Sequence, residues 1–295
     1  MTYYNVNHFI REDKTGMIRI VTDNASDLTV EDAKRLGVHR VSLETSFDDE
    51  VCPMDSHEDY DLFYEKLQGS SKLPITSRPT PQAYLDIYRA AQKAGDDVLV
   101  LTLSSGLSGT KESAYVAKEM IDYPRITIVD TKTAVMAQRI LVEHACTLRD
   151  RGMSLQAIAH EIIELRDRVI VIGIIGSLVY LKRGGRIPPA LALVGDVLGI
   201  KPVITVKDKV IQPLGKARGM KSGIAMAYRR MEEDEIDPDF PVLFGYTSNP
   251  SLGESFMLKT QERYGLQNPR LCQVNGIIGT HLGTDSIGLA YVKKA

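Results

Sequence analysis

The sequence predicts an α/β protein in two lobes, the first built on a largely parallel sheet and the second on a mixed one. Three observations support this. Short apolar runs alternate with amphipathic helical patterns through the first half, which is how parallel strands with covering helices read. A second set of strand-like runs begins near Arg168. The length of 295 residues suits two lobes of ordinary size better than one minimal fold.

Taken in order, residues 1–16 lack the unbroken apolar run of a secretory signal and read as a loose extension before a first lobe at 17–165. MIRIVTD, from Met17 to Asp23, is a strand, and NASDLTVEDAKRLG carries capping residues and helical spacing. VHRVSLETSFDDEVCP is expected to form a hairpin turning at Asp48 and Asp49, followed by the helix DYDLFYEKLQG. DDVLVLTLS and RITIVDT are fully apolar strands flanking the helical GTKESAYVAKEMID. The helical stretch from Ala134 to Leu165 divides the lobes. The second lobe, 166–295, carries the strand VIVIGIIGS, a hairpin in PVITVKDKVIQPLG turning at Lys207 to Lys209, and further strands in PVLFGYTS, LCQVNGII and SIGLAYVKK.

Composition narrows the function classes. A hydrophobic fraction of 43% with 25% charged residues is that of a globular chain with a substantial core. Net charge is −2 and no Lys/Arg-rich block occurs, so nucleic acid is a poor partner. Cys52, Cys146 and Cys272 are too scattered for a disulfide framework or a zinc site, which fits a reducing cytoplasm. No run approaches the ~18 uncharged apolar residues of a membrane span. A lipid ligand would therefore have to be enclosed.

The strongest local signal is LTLSSGLSGTKESA, where a strand ends in Ser104, Ser105 and Gly106 ahead of a helix. Unpaired amides at a helix start, the dipole and the backbone freedom of Gly106 and Gly109 suit a carboxylate or phosphate. Ser104, Ser105 and Ser108 also suit simple N-caps. GLSGT departs from the G-x-S-x-G nucleophile elbow, and no G-x-x-x-x-G-K-[ST] loop occurs, which disfavours serine hydrolysis and ATP chemistry. PITSRPTPQAY offers Thr76 and Ser77 in a loop that Pro79 and Pro81 hold out of helical geometry. His281 is expected in a glycine-rich loop between two apolar strands, NGIIGTHLGTDSIGLAYV. In SLVYLKRGGRIPPALALVGDVLGIKPVI, Lys182, Arg183 and Arg186 bracket a Gly184–Gly185 turn before an apolar stretch suited to core or cavity wall.

VTDNASDL, TSRPTP, LTLSSGLSGTKESA, IVDT, LVYLKRGGRI, LGIKPVI and HLGTDSIGLAY, in that order from Ile18 to about Tyr291, resemble the DegV family. Its members include fatty-acid-binding subunits of bacterial fatty acid kinase systems. The resemblance implies a two-lobe α/β fold enclosing a long-chain fatty acid between lobes, with no cofactor and no metal. It implies that Thr76 and Ser105 bond the carboxylate, with His281 close and Ser104, Gly106 and Ser77 nearby. A separate kinase subunit would phosphorylate the acid, with Arg186 and Arg183 at the partner contact, and acyl exchange is compatible with transient membrane contact. Two departures stand out. His281-Leu282-Gly283-Thr284-Asp285 replaces the usual H-x-G-P-G, bringing a negative charge near the head group, and Asp23-Asn24-Ala25-Ser26 lacks the usual hydroxyls at its second and third positions. Two other readings compete: a small-acid or phosphate-processing enzyme using Ser105 or His281, and a carrier or sensor that needs no kinase.

Overall fold

The computed structural model describes residues 16–187 and 199–295; most of the N-terminal extension and most of the apolar stretch after Arg186 lie outside them. Strands β1 (Ile18–Asp23), β2 (Val38–Val41), β6 (Asp97–Thr102) and β7 (Ile126–Asp130) form a four-stranded sheet, ordered β2-β1-β6-β7 and parallel throughout. Helices α3 (Pro81–Ala94) and α4 (Thr110–Glu119) cover one face, meeting Val21, Val98 and Val100. Helices α5 (Val135–Asp150) and α6 (Leu155–Leu165) cover the other, against Ile20, Leu99 and Leu101. Burial on both faces is why these strands are apolar without alternation.

Local signals place the ends. Thr29 caps α1 (Val30–Leu36) by accepting the Asp32 amide, and Gly37 closes it at φ 62°. Ser56 and Asp59 form a reciprocal capping box for α2 (His57–Gly69). The expected Val38–Pro53 hairpin is divided. Val38–Val41 joins the parallel sheet, while β3 (Glu44–Phe47) and β4 (Glu50–Cys52) make the hairpin and pair with β5 (Ile75–Ser77) in a separate three-stranded sheet. The helical stretch of 134–165 is two helices, because Gly152 takes φ 78° and Ser154 caps α6 anew.

The second sheet has six strands, ordered β10-β9-β8-β13-β11-β12, from β8 (Val169–Ile174), β9 (Ile200–Lys207), β10 (Val210–Arg218), β11 (Leu243–Tyr246), β12 (Arg270–Gln273) and β13 (Ile287–Val292). Only β11 and β12 run parallel; the remaining pairs are antiparallel. Its outer face packs Ile174, Phe244 and Tyr291 with α8 (Gly219–Asp234) and α9 (Pro250–Tyr264). Its inner face, with Val171, Leu243 and Ala290, packs on α5. Helix α5 thus lies between the two sheets, and it buries both apolar faces and the polar Gln138 and Arg139.

LCQVNGII, expected to be one strand, breaks after Gln273. Asn275 accepts the Ile277 amide and starts α10 (Gly276–Leu282). His281 consequently sits on the last turn of a helix and not in a loop, because that cap outweighs the β-branched run behind it.

Candidate ligand-binding site

A cavity of about 270 Å³ lies between the inner face of the six-stranded sheet, the N-terminus of α5, helix α10 and the loop after β6. Its size is near the low end of small-molecule pockets, about 300–1,000 Å³. Most of its wall is aliphatic, including Leu103, Met136, Val171, Ile172, Ile204 and Ile277. Polar groups collect where β5, the loop 107–109, the turn after α7 (Leu178–Arg183) and the end of α10 converge: Thr76, Ser77, Arg78, Ser108, Arg186 and His281. No aspartate or glutamate is among the described residues lining it, so the cavity is apolar with a cationic, hydroxylated end.

Each of these side chains has a definite setting. Thr76 pairs with Thr45 of β3, and its Oγ1 lies 3.3 Å from Nε2 of His281. Burial, assisted by the nearby Arg186, lowers the His281 pKa to about 4, so the ring is neutral at pH 7. Its Nδ1 is buried without a hydrogen-bond partner among the described residues. The Gly184 backbone presses on that nitrogen so closely that a Cβ there would stand 2.2 Å away. Arg186 donates through Nε to the Leu107 carbonyl at 3.3 Å and through Nη1 to that of Gly184 at 2.7 Å. Arg78 donates to the Gly109 carbonyl at 3.4 Å. Thr247 and Ser286 also line the cavity, but Thr247 Oγ1 accepts the Ser286 amide and Ser286 Oγ donates to the Leu282 carbonyl. Those two hydroxyls are committed to the fold.

The structure brings together Thr76, Ser77, His281 and Arg186 from the sequence reading, and does not bring Ser105, Ser104 or Gly106 to the cavity wall. Ser105 Oγ donates to Asp130 Oδ2 at 2.6 Å. Burial works to raise the Asp130 carboxyl, but Ser105, the Lys132 and Ser105 amides and Lys111 outweigh it and hold the pKa below its ordinary value. A carboxylate so stabilised is a weak base, which leaves Ser105 without the activation a nucleophile requires. Ser104 Oγ donates to the Lys209 carbonyl at 2.7 Å, and Gly106 packs on the same carbonyl. Helix α4 starts only at Thr110, with Gly109 at its N-cap position, and it is Ser108 and Gly109 that reach the wall.

Arg186 is exposed yet lines the cavity, which corrects the expectation of a surface residue clear of the ligand; Arg183 is exposed and is not in the wall. Asp285 is exposed and is not among the described residues of the wall, which already include its neighbours Ser286 and Leu282. Arg78 was missed, and Ser108 was read only as an N-cap. Both lie inside noted motifs, and a cation next to Thr76-Ser77 was the available signal. No group of three or more His, Cys, Asp or Glu suited to a metal occurs among the described residues, and none of their helices is long and apolar enough to cross a membrane.

Residues 17–294 match the model of a family described as "Uncharacterised protein, DegV family". A DegV domain-containing protein of Halalkalibacterium halodurans, BH3627, is 31% identical over 280 residues, covering 94% of this chain and 99% of that protein. A stearic-acid-binding protein of Eubacterium ventriosum superposes with a TM-score of 0.85 at 28% identity, covering 94% of this chain and 99% of that one. A DegV family protein of Thermus thermophilus, described by its fatty acid binding, superposes at 0.83 with 29% identity, covering 94% and 100%.

Proposed function

Because the chain belongs to the DegV family, we propose that it binds a long-chain fatty acid in this cavity and presents the carboxylate to a separate kinase for phosphorylation to an acyl phosphate. The observation that carries the reading is the pairing of an aliphatic wall with one end that holds Arg78, Arg186, Thr76 and neutral His281 and, among the described residues, no acidic side chain. Thr76 donates to the carboxylate, His281 completes the contact directly or through water, and the two guanidinium groups offset its charge. About fifteen methylenes buried at ~0.8 kcal/mol each supply on the order of 12 kcal/mol before ordering costs. The residue ranges 17–165 and 166–295 act as lobes closing on the ligand.

Presentation to a kinase is supported by where the polar end lies. The turn carrying Arg183 and Arg186 is exposed directly beside it, so a partner docked there would reach the head group. Mass spectrometry of lipid released from the purified protein tests binding: a retained fatty acid is expected. Protein that carries none and takes up none on addition overturns the reading. Given fatty acid, ATP and magnesium, the isolated chain is expected to form no acyl phosphate and to do so once a fatty acid kinase is added. Product without the kinase indicates an enzyme, and none with it indicates a carrier that works alone.

A further inference from the structure

The inner face of the six-stranded sheet has an unusual row. Val171, Ala290 and Leu243 are cross-strand neighbours on β8, β13 and β11 and pack against α5. Two residues further along, on the same face, the corresponding neighbours are Gly173, Gly288 and Gly245, and all three line the cavity. Glycine in a strand interior forgoes packing and conformational entropy, so three in register call for a cause.

Backbone crowding supplies a cause at one position only. A Cβ on Gly288 would stand 2.6 Å from the Ile172 carbonyl oxygen. A Cβ on Gly173 would meet only the side chains of Ile175 and Ile204, at 3.3 and 3.4 Å. At Gly245 the obstacle is the Met136 thioether, whose Sδ would be 2.5 Å away. At Gly173 and Gly245, then, the nearest atoms a side chain would meet are those of side chains that line the cavity, Ile175 and Ile204 at the one and Met136 at the other. The strip is bounded on β9 by Ile204, the partner of Gly173, which clusters with Leu181 and Leu282 beside His281. Its other limit is Gly245, under Met136 and Val274. Three strand spacings separate these limits, ~14 Å.

We propose that the glycine row is the track of the acyl chain and that Met136, folded over Gly245, closes its far end and sets the longest acid that fits. The inference rests on the fatty-acid reading of the cavity. A methionine is suited to the task, since its unbranched thioether adapts to what lies against it.

The test compares the affinities of wild type, Met136→Ala, Gly245→Ala and Gly173→Ala for a homologous series of saturated fatty acids. Met136→Ala lengthens the track and moves the preferred acid to longer chains. Gly245→Ala drives the thioether into the track and moves it to shorter ones, with affinity falling about fourfold for each methylene that no longer fits. Gly173→Ala weakens acids that reach the strip and spares shorter ones. Should Gly245→Ala fold poorly, Met136→Ala, which only removes atoms, decides the matter. Folded variants with an unchanged length preference, in a protein whose wild type binds long acids, overturn this inference and leave the proposed function standing. A wild type that binds no member of the series overturns both.

Discussion

Thr76 and Ser105 are both hydroxyl residues in motifs of the same apparent kind, yet the fold commits them differently. Thr76 keeps its hydroxyl at the cavity, 3.3 Å from His281, whereas Ser105 donates its hydroxyl hydrogen bond to Asp130. Thr76→Val preserves shape and β-branching but removes the donor, and is expected to cost about 1.5–3 kcal/mol of fatty-acid affinity by titration calorimetry, with the melting temperature nearly unchanged. Ser105→Ala should show the reverse: unchanged affinity and a lower melting temperature, because Asp130 loses a charge-assisted bond. Equal affinity losses in both variants would return Ser105 to the head group. Thr76 and His281 were legible from the sequence because each stands in a short motif ending at a loop or turn. The fate of Ser105 was not, since a side chain's direction in a turn depends on a carboxylate 25 positions away.

Among the elements, the exposed turn after α7 joins the cavity to the surface through two glycines with different duties. Gly185 takes φ 68° with open space around it, so Gly185→Ala is limited to backbone strain of about 1 kcal/mol. Gly184 has no such conformation but abuts His281 and the Tyr180 carbonyl, so Gly184→Ala must displace the ring. The expected outcome is a marked loss of fatty-acid affinity for Gly184→Ala and little for Gly185→Ala. The arginines divide similarly. Arg183→Ala should leave affinity unchanged and weaken only kinase-dependent turnover, while Arg186→Ala should reduce both, measured on one preparation. Strand and helix alternation made most elements legible, since apolar runs and caps are local properties. The errors fell where a local signal was divided between sheets, as at Val38–Val41, or where one cap reversed a β-branched run, as at Asn275.

At the scale of the whole molecule, the parts are joined by a buried polar seam that no local pattern announces. The Asn275 amide donates to Asp27 Oδ1 at 3.0 Å across 248 positions of sequence, and its side-chain amide donates to the Asn24 carbonyl. Tyr64 donates to the Val274 carbonyl at 2.8 Å, so the start of α10 is held by the first-half turn and by α2 together. Asp27 is the exposed risk in this seam. Burial pushes its pKa up to about 8 against the opposing Asn275 amide and Arg139, and its Oδ2 has no hydrogen-bond partner among the described residues. Its unfolded value is near 3.8, so from there to about pH 8 the native state holds a proton that the unfolded state has released. Stability therefore falls as pH rises through that interval and levels off above it. Below about pH 6.5 the half-buried His39, His144 and His281, whose pKa values are lowered, act in the opposite sense, and Asp23, raised to about 6, adds its own fall. Between about 6.5 and 8 the Asp27 contribution stands clear of these, with a slope of at most about 1.4 kcal/mol per pH unit. Asp27→Asn retains an oxygen for the Asn275 amide and mimics the protonated acid. In urea titrations across that interval the wild type should lose stability and the Asn variant should not; parallel declines in the two would assign the pH dependence to another group.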